Sequence, residues 1–256
     1  MTTPVSDIDF LRIQTELLSH IDGQGRIVGL RGLRINTAWD GRLIWFGDQV
    51  PDQLLDELRR LVEAQPLEAD PGTAPRVLGD CRRMLEPVAG PLRISSGPTF
   101  LVAPDVGYTT DAEIVRSMEP KKIAPLRDLN PGNWTAEEWP ALLAGTLGPW
   151  AMAMVDRRVA SICHTPRPIG REAAECGTWT APEYRGRGLA AATTAAWAEI
   201  LAPTGLHLFY STDADNHSSR GVAARLGLRL IGWSWELDSP KPDVPKLHPL
   251  LYRADG

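Results

Sequence analysis

Hydrophobic positions recur along this chain first with a helical period and later with an alternating one, and the change divides it. After Ser6 the apolar residues Ile8, Leu11, Leu17, Leu18 and Ile21 fall on a rough helical face, with Asp9 three positions beyond Ser6 as its capping partner. A helix is expected there until Asp22-Gly23 stops it. Apolar runs at 26–35 and 42–46 read as strands, and Pro51 is placed to open a helix at its first position. The stripe Leu54, Leu55, Leu58, Leu61 and Val62 gives that helix one apolar face, which ends before the breaker-rich run 68–75. The first hundred residues therefore read as α/β.

From Pro104 to about Pro131, Pro, Gly and charge are frequent and periodicity is weak, so a domain boundary is expected near the start of this stretch. The expected organisation is an N-terminal α/β domain at 1–105 and a second domain at 106–256. In the second, Thr135-Ala-Glu-Glu138 has the form of a capping box, although Pro140 then falls inside the helix; a helix starting at Pro140 is the alternative. Strands are expected at 150–156 and 159–164 around a tight turn at Asp156, then at 173–180, 206–212 and 228–237. Helices are expected at 186–201 and 218–226.

Composition narrows the function. At 43% hydrophobic and 23% charged the chain is globular, and it has no run of about 20 apolar residues that would cross a bilayer. A net charge of −5 gives no reason to expect a nucleic-acid partner and mildly favours a cationic substrate. Cys81, Cys163 and Cys176 are odd in number and contain no CxxC, which fits reduced thiols in a cytoplasm better than a disulfide framework or a zinc site. The N-terminus, MTTPVSDIDF, has no basic and apolar leader pattern.

Chemistry concentrates in Thr178-Trp-Thr-Ala-Pro-Glu-Tyr-Arg-Gly-Arg-Gly-Leu-Ala190, a strand that passes through a glycine-rich turn into a helix. Such a turn offers consecutive N–H groups and the positive end of a helix dipole to an anion, and Gly186 and Gly188 allow close backbone approach. No GK[ST] follows and the spacing is not GxGxxG, so neither nucleotide-binding loop is present. A basic surface turn is the plain alternative reading.

Arg185-x-x-Gly188-x-Ala190 resembles the pyrophosphate signature (Q/R)xxGx(G/A) of the GNAT superfamily of acyl-CoA N-acyltransferases. Asn216-His-Ser-Ser219 with the close Leu226-Gly227-Leu228 is similar to the family's later element, and both fall in the family's strand and helix order. The resemblance covers about 149–237. It implies a mixed, twisted α/β sheet flanked by helices, with the N-terminal domain as an addition, which would be a degenerate GNAT-like half or a regulatory or dimerising element. It implies acetyl-CoA held through Arg185, Gly186, Arg187, Gly188, Leu189 and Ala190. The backbone of Thr178, Trp179 and Thr180 would pair with the pantetheine arm, Thr180 N–H would stabilise the oxyanion, and Asn216 and Ser219 would touch the arm. No metal is implied, and no His/Cys/Asp spacing points to one. The implied reaction is N-acetylation of a small-molecule or peptide amine in a bacterial cytoplasm, by a chain for which a homodimer is left open. A weakly catalytic acyl-CoA-binding or interaction module of the same fold is the alternative.

An alkylammonium, with a pKa of about 10.4, must lose a proton before it attacks, so a carboxylate base is needed. Glu175 is the first candidate, on the side of the strand shared with Gly177 and Trp179; Glu172 is the second. The family's tyrosine acid, seven residues after the motif Asn, is Ala223 here. Tyr210 and Ser211 are the expected replacements, Tyr210 being equally readable as a buried structural residue. His164 is a further acid or base candidate with the same structural alternative. Trp233 and Trp235 alternate on the last strand and either wall an acceptor pocket or bury against a helix.

Overall fold

The computed structural model describes residues 4–240, so the end of the expected second domain at 241–256 lies outside the described residues. In chain order the elements are α1 Asp7–Leu18, β1 Leu33–Thr37, β2 Arg42–Phe46, α2 Asp52–Glu63, α3 Leu78–Ala89, β3 Arg93–Val102, β4 Glu113–Arg116, α4 Pro120–Ile123, α5 Glu138–Leu143, β5 Trp150–Val155, β6 Arg158–His164, β7 Ala173–Glu175, β8 Gly177–Thr180, α6 Leu189–Leu201, β9 His207–Ser211, α7 His217–Arg225 and β10 Arg229–Asp238. They form a mixed α/β fold in two compact units. Of the described residues, the first comprises 4–100, 211–216 and 230–240; the second comprises 101–210 and 217–229.

In the first unit β2, β1, β10 and β3 are neighbours in that order. β1 pairs antiparallel with β10, Leu33 opposite Leu237 and Thr37 opposite Trp233. Alternation then places Leu33, Ile35, Trp235 and Leu237 in one core with Leu58 and Val62 of α2 and Cys81 and Leu85 of α3. Trp233 and Trp235 stack at 6.0 Å, and Trp235 Nε1 donates to Pro71 O at 3.4 Å, so Trp235 is buried core and Trp233 packs half-buried against that core. The polar face is satisfied as well. Asn36 Nδ2 donates to Thr15 Oγ1 of α1 at 2.7 Å, and Arg34 pairs with Glu236 at 2.5 Å.

Local signals explain most boundaries. Ser6 Oγ accepts from Asp9 N–H and donates to its carboxylate, so the expected cap forms, but α1 ends at Leu18, before Ile21. Pro51 is the residue before α2, with ψ 138°, one position earlier than expected for an opening proline. β1 starts at Leu33, so only the end of the expected strand at 26–35 is a strand.

In the second unit β4, β5, β6 and β8 form an antiparallel sheet, and β7 pairs in parallel with β9. Asp156 and Arg157 both take positive φ, 48° and 60°, the signature of a two-residue turn whose twist suits the β5–β6 hairpin. One face of the sheet buries Trp150, Met152 and Ile162 under Trp134 and Trp139, the second of which lies on α5. The capping box is made in full, Thr135 N–H to Glu138 Oε2 at 2.8 Å and Glu138 N–H to Thr135 Oγ1 at 3.1 Å. Pro140 is tolerated because it falls in the first turn of α5, where N–H groups have no helical acceptor. Among the described residues no helix is long and apolar enough to cross a membrane.

Candidate functional site

The strand expected at 173–180 changes partners at Cys176. Before it, Glu175 pairs with Phe209 of β9; after it, Gly177 pairs with His164 of β6. Cys176 N–H still reaches Phe209 O at 3.0 Å, and beyond that bond β8 and β9 part. The parting leaves one edge of β8 open. Ala181 N–H donates to Ala160 O at 2.9 Å, and in that register the N–H and C=O groups of Trp179 and Gly177 also face β6. Those of Thr178 and Thr180 face the other way. Arg185 Nε reaches Thr180 O there at 3.3 Å, while Ser161 Oγ, on β6, donates to Trp179 O at 2.9 Å. Trp179's side chain points to the opposite sheet face, edge-on to Trp134 at 5.5 Å.

After Thr180 a short turn leads into α6. Ala192 N–H to Gly188 O is the first bond of that helix, so the N–H groups of Leu189, Ala190 and Ala191 have no helical acceptor. Together with the dipole they form a positive end that suits an anion. Gly186 and Gly188 both have φ 79°, which explains glycine at each. Their surroundings differ. A Cβ at Gly186 would meet nothing within 4 Å, whereas one at Gly188 would lie 2.3 Å from Tyr108 Oη. The room over Gly188 is therefore filled by protein, and the free approach for a ligand lies over Gly186. Arg187 stacks its guanidinium 5.6 Å from the centre of the Tyr184 ring. It also lines, with Leu189 and the segment Thr109 to Ala112, a cavity of about 410 Å³.

Beside the open edge, Tyr210 Oη lies 3.4 Å from Thr178 Oγ1 and donates to Ser219 O at 3.3 Å. Burial pushes its phenol up to about 12, with the bonds to Thr178 and Ser219 acting weakly the other way. Glu175 is buried (5% exposed), and Glu172 is on the surface. Burial also raises the Cys176 thiol well above its ordinary value, helped by its hydrogen bond with Cys163 and by the charge of Glu175. Ser211 ends β9 half-buried. His164 is buried (1% exposed) on the sheet face away from Thr178, edge-on to Trp134 at 6.2 Å and 3.0 Å from where a Cβ on Gly177 would sit. The second unit thus links Thr178, Tyr210 and Ser219 by hydrogen bonds and sets Arg185 of the turn against Thr180, while Glu175 ends β7, three residues before Thr178. Asn216 belongs to the first unit, where its N–H donates to Asp213 O at 3.0 Å, and it directly precedes α7. Ala223 is a buried position of α7. Among the described residues no group of three or more His, Cys, Asp or Glu is placed to hold a metal, and the three cysteines are free. Tyr108 was not foreseeable: it stands in the aperiodic stretch after Pro104, and no motif marks it.

The family model for the acetyltransferase (GNAT) domain matches residues 102–229, half of the chain. A comparison with curated proteins gives no match. Among solved structures, a GNAT-family acetyltransferase from Novosphingobium aromaticivorans is 23% identical, with 59% of this chain and 68% of that one covered and a TM-score of 0.41. A GCN5-related N-acetyltransferase-like protein from Streptococcus suis is 16% identical over 85% of this chain and 87% of its own, with a TM-score of 0.42. A tandem GNAT protein from the clavulanic acid biosynthesis pathway is 18% identical, at a TM-score of 0.43. Alignment to it takes in 70% of this chain, which spans 62% of that protein's length. The family match spans the β4 to α7 segment that carries the open edge and the glycine-rich turn, and the chain belongs to the GNAT acetyltransferase family.

Proposed function

We propose that this protein transfers an acetyl group from acetyl-CoA to an amine by direct attack. The observation that carries the proposal is the open edge of β8 beside the N-terminus of α6. An extended pantetheine arm can add to that edge as a strand would, through Thr178 and Thr180, while the diphosphate meets the free N–H groups at 189–191 and the open side of Gly186. Trp179 contributes its position more than its amide.

In the reaction the amine nitrogen bonds the thioester carbon, the C–S bond breaks, and the amine proton leaves to a base. Glu175 is the base in this proposal, because it is the carboxylate at the last β7–β9 pair, just before β8 leaves β9. Thr180 N–H, directed out of the sheet, is the oxyanion donor. The departing thiolate has a conjugate acid near the ~8.5 of a cysteine thiol and leaves without a dedicated acid. Tyr210, held protonated by burial, donates to Ser219 O and accepts from Thr178 Oγ1, which positions both. Three buried free cysteines are at home in a bacterial cytoplasm, and the acceptor is a small-molecule or peptide amine.

Ala223 at the place of the family's tyrosine favours a second reading, an acyl-CoA-binding module with weak turnover. Incubation with acetyl-CoA and a panel of amines, read by release of free thiol and the mass of the amide, separates the two. Equal amounts of thiol and amide support the transferase; tight binding with no thiol release on any amine supports the module.

A further inference from the structure

Tyr108 packs on the turn at Gly188, and neither the motif nor the family's signature marks it. It lies on the connection between β3 and β4, half-buried. It lines a cavity of about 330 Å³ together with Ala192, Ala195 and Ala196 of α6, and the next four residues line the polar cavity that Arg187 and Leu189 share. Tyr108 thus lies along α6 with its hydroxyl at the residue before the helix, 2.3 Å from where a Cβ on Gly188 would sit. No residue among those described accepts or donates a hydrogen bond to that hydroxyl.

We infer that Tyr108 is a donor-binding residue whose hydroxyl donates to a phosphate oxygen of the acyl-CoA seated on the N-terminus of α6. The inference rests on the acyl-CoA reading above. An anion that meets the amides at 189–191 over the open side of Gly186 has Tyr108 as the wall of its seat. An O–H to a charged oxygen is among the stronger hydrogen bonds available. The guanidinium of Arg187 adds positive charge on the same side. Asp111 also lines the polar cavity and repels a phosphate from its own part of it.

Calorimetric titration of the parent and of Tyr108→Phe with coenzyme A and with pantetheine, which lacks the diphosphate, tests this. The ring stays, so the wedge along α6 is preserved, and equal melting temperatures serve as the control. Coenzyme A is expected to bind Tyr108→Phe about tenfold more weakly, with pantetheine unchanged. The KM for acetyl-CoA should rise with little change in kcat. Inorganic pyrophosphate as a competitor should weaken by the same factor. Unaltered coenzyme A binding, or an equal loss for pantetheine, overturns the inference while leaving acyl-CoA as the donor. A parent that binds neither coenzyme A nor acetyl-CoA overturns both.

Discussion

Tyr210 donates its phenolic hydrogen to Ser219 O across 3.3 Å, which ties β9 to α7 at the place where β8 departs. Since the same oxygen has Thr178 Oγ1 at 3.4 Å, Thr178 is left as the donor of that contact. Tyr210→Phe leaves Ser219 O without this donor and costs about 1 kcal/mol of stability. The expected loss in kcat/KM is below about tenfold, because removal of a positioning hydrogen bond leaves attack and proton transfer intact. A loss as large as that of Glu175→Gln would make Tyr210 the acid.

Glu175→Gln removes the proposed base and should lower kcat/KM by about 10²- to 10⁴-fold with coenzyme A affinity nearly unchanged. Steady-state rates across pH 6 to 9 check it. Parental rates would move the role to Glu172 or to His164.

Gly186 and Gly188 share a backbone conformation and differ in what stands over them. Gly186→Ala should cost about 1 kcal/mol, the strain of a left-handed alanine. Gly188→Ala should cost more, through the contact with Tyr108, and Tyr108→Ala should relieve part of the excess. Urea unfolding of the single and double variants measures it, and strict additivity would refute the contact.

Alkaline pH should destabilise the fold. Burial holds Cys81 at about 11 and Tyr210 at about 12, above their ordinary values of 9.0 and 10.0. Both folded values are raised, so their neutral forms support the fold in full below pH 9, and that support is lost as pH climbs through 9 to 12, by about 3 kcal/mol for each group. Urea midpoints at pH 8, 10 and 11 should fall in order; a flat series would contradict the burial of these groups.

A fragment starting at residue 106 lacks β1, the strand that pairs with β10 over Leu33 to Thr37. The apolar side of β10, with Trp233 and Trp235, then loses α2 and α3 as well. The fragment should aggregate or melt well below the parent in light-scattering and circular-dichroism traces. A soluble, fully active fragment would show that this pairing is dispensable.

These results also mark what the sequence made legible. The 150–164 hairpin and the 186–201 helix follow a clear period, and a two-residue turn or a glycine-rich start frames each. α3 did not stand out, since Gly79 and Pro87 interrupt a stripe that is only Leu78, Cys81 and Leu85. β3 was equally hidden. Its Ser-Ser-Gly-Pro centre has little strand propensity, and backbone bonds stabilise it, Ala214 N–H to Ser96 O at 2.8 Å and Thr212 N–H to Pro98 O at 3.3 Å. The last strand was readable as a strand, but its pairing with residues 33–37 is a long-range fact that no local period encodes. In the site, the motif identified the turn, while the open edge depends on which strand pairs with which, and Tyr108 on packing from an aperiodic loop.

The most direct measurement is residue-resolved amide hydrogen exchange with and without saturating acetyl-CoA. Slowing is expected at Thr178 and Thr180 on the open edge of β8 and at Gly186 to Ala191 around the start of α6. Trp179, already bonded to β6, should change little. Saturable acetyl-CoA binding that leaves exchange at Thr178, Thr180 and the turn unaltered would contradict it.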